Sequence, residues 1–338
     1  MVDAKEALVA MRSFLLCFLT IVLSESWLIA LDFNSTENRR VMVVAGAGGE
    51  EEYTSLFSEW AGALTNAFQA SAAELVKINN NPENTDARKI IESKLKQWVA
   101  AKDDEIWILL VGHGTFDGKQ AKFNLVGNDV SDLDFQSWLK PHQGPLVFIN
   151  TSSSSAPFIR TLSGANRVIA TATKSGYEQN FCRFGGYISA ALEQKKADLD
   201  KDGAVSVLEA FLIASRKVEE YYRENDRLVS ESALLDDNGD GRGTPANWFS
   251  GVRINKESQE KKGADGKISR LVFPVVPLKE KGISESFRKK RTQIENKIET
   301  LRSLKKTLDV DIYYRDLEKL FLELSKLNNE NEDSKNPK

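Results

Sequence analysis

Four stretches of the chain are apolar at nearly every position: RVMVVA (40–45), EIWILLV (105–111), PLVFIN (145–150) and RVIATAT (167–173). Val/Ile/Leu runs of this kind belong to strands covered on both faces rather than to strands with one wet side. The segments between them carry apolar residues at helical spacing. Tyr53, Leu56, Phe57, Trp60, Leu64 and Phe68 form one stripe, and Ile90, Ile91, Leu95, Trp98 and Val99 form a second behind Thr85 as its cap. AELVKI (73–78) reads as a further strand and AKFNLVG (121–127) as a hairpin arm, while Ser131 and Asp134 give a capping-box start to a short helix through Leu139. Buried strands alternating with amphipathic helices predict an α/β fold with a mostly parallel sheet flanked by helices, spanning 39–183. Sheets of that class place their sites beyond the carboxyl ends of the strands. Those ends read AGAGG, GHG and TSSSS here.

After residue 183 the pattern changes. A helix from about Phe184 to Ala197 precedes an acidic loop, and a longer helix follows with Leu208, Phe211, Leu212, Val218 and Tyr221 on its apolar side. This helical segment, 184–254, is expected to be distinct from the sheet domain. A polar, Lys-rich linker leads to one more strand, KISRLVFPVV (267–276). Phe287, Ile294, Ile298, Leu301 and Leu308, then Leu317, Leu320, Leu324 and Leu327, predict two helices joined by the short break LDVDI. Together these make an antiparallel helical hairpin closing the 264–328 segment, with a surface that could support self-association. The last ten residues, 329–338, read as a disordered tail.

Composition narrows the function classes. The 338-residue chain has 41% hydrophobic residues, six Trp and a net charge of −3, so it can bury a sizeable core and has no basic excess that would favour nucleic acid. No Walker loop, dinucleotide fingerprint or zinc spacing is present, which argues against a nucleotide ligand. MRSFLLCFLTIVLSES (11–26) has a basic residue, an apolar run and small residues, the layout of a secretory signal peptide within 1–31. Export to the periplasm or outside is the expectation, with an uncleaved membrane anchor as the alternative. Cys17 lies in that signal, so Cys182 is alone in the mature chain and cannot form an internal disulfide.

Two patterns carry chemistry. His113, between two glycines at the end of a strand, exposes an imidazole where backbone can approach a ligand. The order VMVVAGAGGEEEY, LLVGHG, VFIN with a small-residue cluster, and NRVIATATKSG resembles the caspase/legumain-like cysteine peptidases over roughly residues 40–195. The resemblance implies a caspase-like sheet, His113 at the catalytic His position and Ser152 at the position of the catalytic Cys, with Ser153, Ser154 and Ser155 completing that motif. The Arg of legumain's specificity pocket would fall on Thr54. A Ser in place of Cys lacks the accessible thiolate that drives such chemistry. The expected role is therefore that of a catalytically degenerate, peptidase-like protein that binds a peptide or protein ligand. An active hydrolase using Ser152 with His113 is the alternative, Cys182 is a third candidate nucleophile, and a structural calcium-dependent envelope protein is a further reading.

The second pattern is DLDKDGAVSVLE (198–209), which has EF-hand spacing. Asp198, Asp200 and Asp202 stand at positions 1, 3 and 5, Gly203 at the sharp turn, Ala204 at the carbonyl position, Ser206 at 9 and Glu209 at 12. Oxygen-only donors select calcium. DDNGDGRGTPAN (236–247) repeats the first half with Asp236, Asn238 and Asp240, and ends on Asn247 where a bidentate carboxylate is needed, so it is expected to be a weaker second calcium loop or an Asx-turn loop.

Overall fold

The computed structural model describes residue 33 and residues 38–79, 86–102, 104–193, 197–201, 204–255, 265–274, 285–305 and 307–335. The expected signal peptide, the Thr85 cap and Asp202 lie outside the described residues. The strands are β1 (Arg39–Ala45), β2 (Glu74–Ile78), β3 (Glu105–Val111), β4 (Gly114–Phe116), β5 (Ala121–Phe123), β6 (Val130–Ser131), β7 (Leu146–Asn150), β8 (Arg167–Thr171), β9 (Leu234–Asp236), β10 (Thr244–Pro245), β11 (Phe249–Ser250) and β12 (Arg253–Ile254). The α-helices are α1 (Glu51–Phe68), α2 (Ala87–Trp98), α3 (Asp132–Leu139), α4 (Pro157–Leu162), α5 (Phe184–Glu193), α6 (Val207–Glu224), α7 (Glu285–Ser303) and α8 (Val310–Lys335).

Among the described residues, one seven-stranded sheet runs in the order β10-β9-β8-β7-β3-β1-β2. Strands β2, β1, β3, β7 and β8 are mutually parallel, and β9 and β10 close the edge antiparallel. This is the mostly parallel α/β sheet expected from the apolar runs. Alternate residues feed two cores. Val41, Val43, Trp107, Leu109, Val147, Ile149 and Val168 pack with Phe57, Leu64 and Phe68 of α1, Phe184 and Ile188 of α5, and Phe211 of α6. Met42, Val44, Ile106, Ile108, Phe148 and Ile169 pack with Leu95 and Trp98 of α2, Phe135 of α3 and Phe158 of α4. Each strand thus has both faces dry, which is why it reads as a continuous apolar run.

Local signals behave as their chemistry dictates. Helix α3 opens on a full capping box between Ser131 and Asp134. Helix α2 is capped by Asp86, whose carboxylate accepts from Lys89 N. Three expectations need correction. Residues 184–254 are not set apart, because α5, α6 and Leu235 of β9 are built into the same core as the sheet. The helix begun at Phe184 is described through Glu193, and residues 194–196, on which its expected end near Ala197 depends, lie outside the described residues. The stretch from Lys267 is no strand: a 3-10 turn covers Ser269–Leu271. Its backbone amides are claimed by a side chain, since Asp237 accepts from Ile268 N (3.0 Å) and Ser269 N (2.8 Å), so they are unavailable to a ladder. Finally, α8 runs on to Lys335, through most of the stretch expected as a disordered tail.

The chain divides into two compact units, and residues 38–274 belong to the larger. In the other, α7 and α8 pack through Phe287, Ile294, Ile298 and Leu327, with Leu317, Leu320 and Leu324 against them.

Candidate functional site

The carboxyl ends of β1, β3, β7 and β8 share one edge of the sheet, and the sequence puts glycines and hydroxyls there. Gly46, after β1, donates to Val111 O, and a Cβ on Gly112 would come within 3.0 Å of the Gly46 Cα. These glycines let the two turns pass each other in contact. The β4–β5 hairpin then folds over the edge, with Asn124 N donating to His113 O and Asn124 O accepting from Ala47 N.

His113 is half-buried in a box of rings. Its imidazole meets Tyr53 and Phe57 edge-on at 5.0 Å between centroids, and Phe181 at 6.0 Å. Trp60 packs on Phe181 and is itself wedged against Gly185 and Gly186, where any Cβ would come within 3.0 Å of the indole. Burial holds the His113 imidazole below the ordinary histidine range, and a hydrogen bond with the Gly48 backbone pulls weakly the other way. The ring is therefore neutral at pH 7, with one nitrogen engaged by the main chain.

The serine run is buried and, with one exception, bonded. Ser152 donates through Oγ to Asn150 Oδ1 (2.7 Å), and its amide donates to the same oxygen (3.0 Å). Ser153 exchanges hydrogen bonds with Gly114. Ser155 Oγ pairs with Thr173 Oγ1 and accepts from Ala172 N. Ser154 is different: it holds a positive φ of 57°, and its buried Oγ has no hydrogen-bond partner among the described residues. The sequence-matched pair, His113 and Ser152, is thus brought to one edge but not joined by a hydrogen bond. The contact between their segments is made by Gly114, whose Cβ, if present, would stand 2.7 Å from Ser152 Oγ.

The other peptidase-motif positions are poorly equipped for catalysis. Thr54 is exposed on α1 and bonds back to Glu50 O, so the position implied for the Arg carries no charge. Cys182 is 3% exposed, and burial together with the negative charge of Glu231 and Glu178 pushes its thiol well above its ordinary value. That is the reverse of what a nucleophilic thiolate needs. Glu231, which the sequence reading missed, caps the start of α5 by accepting from Arg183 N and Phe184 N. Its placement depends on a contact across 47 residues, for which no local pattern exists.

Of the calcium-loop residues, Asp198, Asp200 and Glu209 each offer an oxygen within 4.8 Å of one another. Ser206 caps α6 in a capping box with Glu209. The Glu209 carboxylate accepts from Leu199 N (2.6 Å), Asp200 N (3.1 Å) and Ser206 N (2.8 Å), and burial raises its pKa. Asp200 Oδ1 is buried without a hydrogen bond among the described residues, and Arg270 Nε lies 3.7 Å from Asp200 Oδ2. Ala204 is half-buried just before the cap.

The second acidic loop is a hairpin turn between β9 and β10. Asp236, Asn238 and Asp240 each turn one side-chain oxygen onto a backbone amide, at Gly239, Asp240 and Arg242 respectively. Asn247 does not close this loop. Pairing of Thr244 with Leu235 and Pro245 with Leu234 carries it to the far end of β9, where it lines a cavity with Lys174 and Glu231. The loop is rich in Asx turns, one of the two readings its sequence allowed, and Asn247 takes no part in it.

No family model and no curated protein matches the chain. Among solved structures it is similar to a Geobacter sulfurreducens protein solved as a structural-genomics target, at 8% identity, covering 59% of this chain and 92% of that one with a TM-score of 0.41. It is also similar to the Drosophila initiator caspase Dronc (12% identity, 62% and 84% covered, TM-score 0.40) and to caspase-1 from Spodoptera frugiperda (11%, 60% and 90%, 0.40). Likenesses this loose carry no argument about activity, so the chemistry of the site rests on its own residues.

Proposed function

We propose that the protein is an exported, caspase/legumain-like but catalytically degenerate peptidase, retaining peptide or protein binding at the carboxyl edge of its sheet and holding calcium through Asp198, Asp200 and Glu209. The observation that carries the degenerate reading is the state of Ser152. Its hydroxyl is fully buried and committed to Asn150 Oδ1, while His113 is neutral, boxed by rings and engaged with Gly48. A serine hydroxyl needs an aligned base and an orienting group behind that base to become a nucleophile. Neither stands in hydrogen-bond contact with Ser152 among the described residues. The half-buried rings of Tyr53, Trp60 and Phe181 at the same edge favour binding of an apolar side chain over turnover.

A fluorogenic peptide and ester panel, with Ser152→Ala and His113→Ala as controls, tests the reading. No turnover in the parent, together with saturable peptide binding lost on Trp60→Ala, is the expected result. Turnover abolished by both control substitutions would establish the second reading, a Ser152–His113 hydrolase, which is favoured by the closeness of Gly114 to Ser152 Oγ.

A further inference from the structure

The edge of the sheet opposite the candidate site holds an uncompensated carboxylate. Asp236 is 1% exposed at the end of β9. Its Oδ1 accepts from Gly239 N (3.1 Å), which turns the carboxylate over its own loop, but its buried Oδ2 has no hydrogen bond among the described residues. A buried carboxylate oxygen left bare costs several kcal/mol unless a cation or a proton meets it.

The neighbours sort into two kinds. Asp237 and Asp265 are consumed by structure. Asp237 takes Gly266 N, Ile268 N, Ser269 N and the Ser269 hydroxyl, while Asp265 takes Asp237 N, Asn238 N and the Thr244 hydroxyl. This reciprocal clasp braces the hairpin and commits both oxygens of each carboxylate to the protein. Asp240 spends Oδ1 on Arg242 N (2.8 Å), and its negative charge bears on Asp236. The Ser163 hydroxyl, at the end of α4, leans toward the Asp236 carboxylate without closing a hydrogen bond on it, and its Oγ is buried and bare as well. Gly239 and Gly241, both with positive φ, let the loop lie against Ser163 and Gly164.

We propose that the 236–241 hairpin and Ser163 hold a calcium ion. The donors are Asp236 Oδ2, the second oxygen of Asp240, the Asn238 amide oxygen and Ser163 Oγ, with water completing the shell. Hard oxygen donors of mixed charge on a flexible loop suit calcium, which takes 6–8 ligands in loose geometry, better than the octahedral demands of magnesium. Ser163 stands in for the position-12 carboxylate that Asn247 cannot supply, and no sequence spacing could have revealed a ligand 73 residues upstream of Asp236. Its donors are distinct from those of the Asp198–Glu209 loop. Two carboxylates place its affinity with extracellular modules, at roughly 10⁻⁴–10⁻³ M.

Calorimetric titration of the full chain with calcium, in chelator-stripped buffer, tests this. Asp236→Asn keeps the oxygen that caps Gly239 and removes the charge. It is expected to lose one equivalent of bound calcium, while the double variant Asp198→Asn/Asp200→Asn keeps that equivalent. Ser163→Ala, which leaves the clasp and the charge of every carboxylate in place, is expected to weaken the same equivalent about 3- to 10-fold, and it decides the matter if Asp236→Asn fails to fold. Unchanged stoichiometry in Asp236→Asn, unchanged affinity in Ser163→Ala, or no calcium bound by the parent at about 5–10 times the dissociation constant expected above would each overturn the proposal.

Discussion

Gly114 and Ser153 hold each other by a two-way exchange: the Gly114 amide donates to Ser153 Oγ (3.1 Å), and the Ser153 hydroxyl donates back to Gly114 O (3.0 Å). The exchange ties the turn after β3 to the turn after β7, the two turns that carry His113 and Ser152. It also fills the space a side chain at 114 would need. A Cβ there would stand 2.3 Å from Ser153 O and 2.7 Å from Ser152 Oγ. Gly114→Ala is therefore expected to destabilise by about 1–3 kcal/mol through overpacking, and Ser153→Ala by a similar amount because it strands a buried amide. Denaturant midpoints measure both. A cost below about 0.5 kcal/mol for Gly114→Ala would mean that the two turns separate freely in solution.

Ser154 carries strain that its neighbours do not. A left-handed φ costs a side-chain-bearing residue on the order of 1 kcal/mol, and a buried bare hydroxyl adds about 1–3 kcal/mol. Ser154→Gly relieves both, less the greater entropy glycine brings to the unfolded chain, so a net gain of about 1 kcal/mol is expected. Ser154→Ala removes only the hydroxyl and separates the two contributions. If Ser154→Gly destabilises, the hydroxyl has a partner in solution, and the run of serines keeps a bound group there.

Much of this was legible beforehand. The four apolar runs became the parallel strands because a strand dry on both faces leaves no polar positions to hide it. Ser131–Asp134 capped its helix because a capping box is a contact between residues three apart. What stayed hidden depends on distance along the chain. Glu231 caps α5 from 47 residues away, and the clasp between Asp237 and Asp265 turned a Val/Leu-rich stretch from a strand into a 3-10 turn. The motif order located His113 and Ser152 on one edge, but no periodicity could say that Asn150 and Gly48 would be their hydrogen-bond partners.

The pairing of Arg88 with Asp134 makes stability depend on acid. Burial pushes the Asp134 carboxyl up, but hydrogen bonds from Arg88 (2.7 Å) and Ser131 outweigh it and hold the group at about 2. Its folded value lies below its unfolded one, so its contribution is complete above about pH 4 and is lost as pH falls through about 2. The size is about 2 kcal/mol. Arg88→Met should be less stable than the parent at pH 7 by roughly 1–2 kcal/mol, and the gap should close by pH 2 in denaturant titrations. A gap that persists at pH 2 would assign the loss to packing of Arg88 on Trp138, 5.5 Å from its ring, rather than to charge.

Asp198, Asp200 and Glu209 crowd three carboxylates into one space, with the Arg270 guanidinium 3.7 Å from Asp200. Glu209 is stabilised by three backbone donors, so the loop can fold without metal, but Asp200 Oδ1 remains bare. Calcium binding the folded state alone must stabilise it. At ten times a dissociation constant on the order of 10⁻⁴ M the gain is about 1.4 kcal/mol, or about 3–5 °C in Tm for a unit of this size. The measurement belongs in an Asp236→Asn background, which removes the hairpin site. There, Asp200→Asn should abolish the shift between chelator and calcium. Glu209→Gln should abolish it too and also lower Tm in chelator, because the amide is a weaker acceptor for Leu199 N and Ser206 N. A calcium shift that survives Asp200→Asn in that background would move the ion away from this loop altogether.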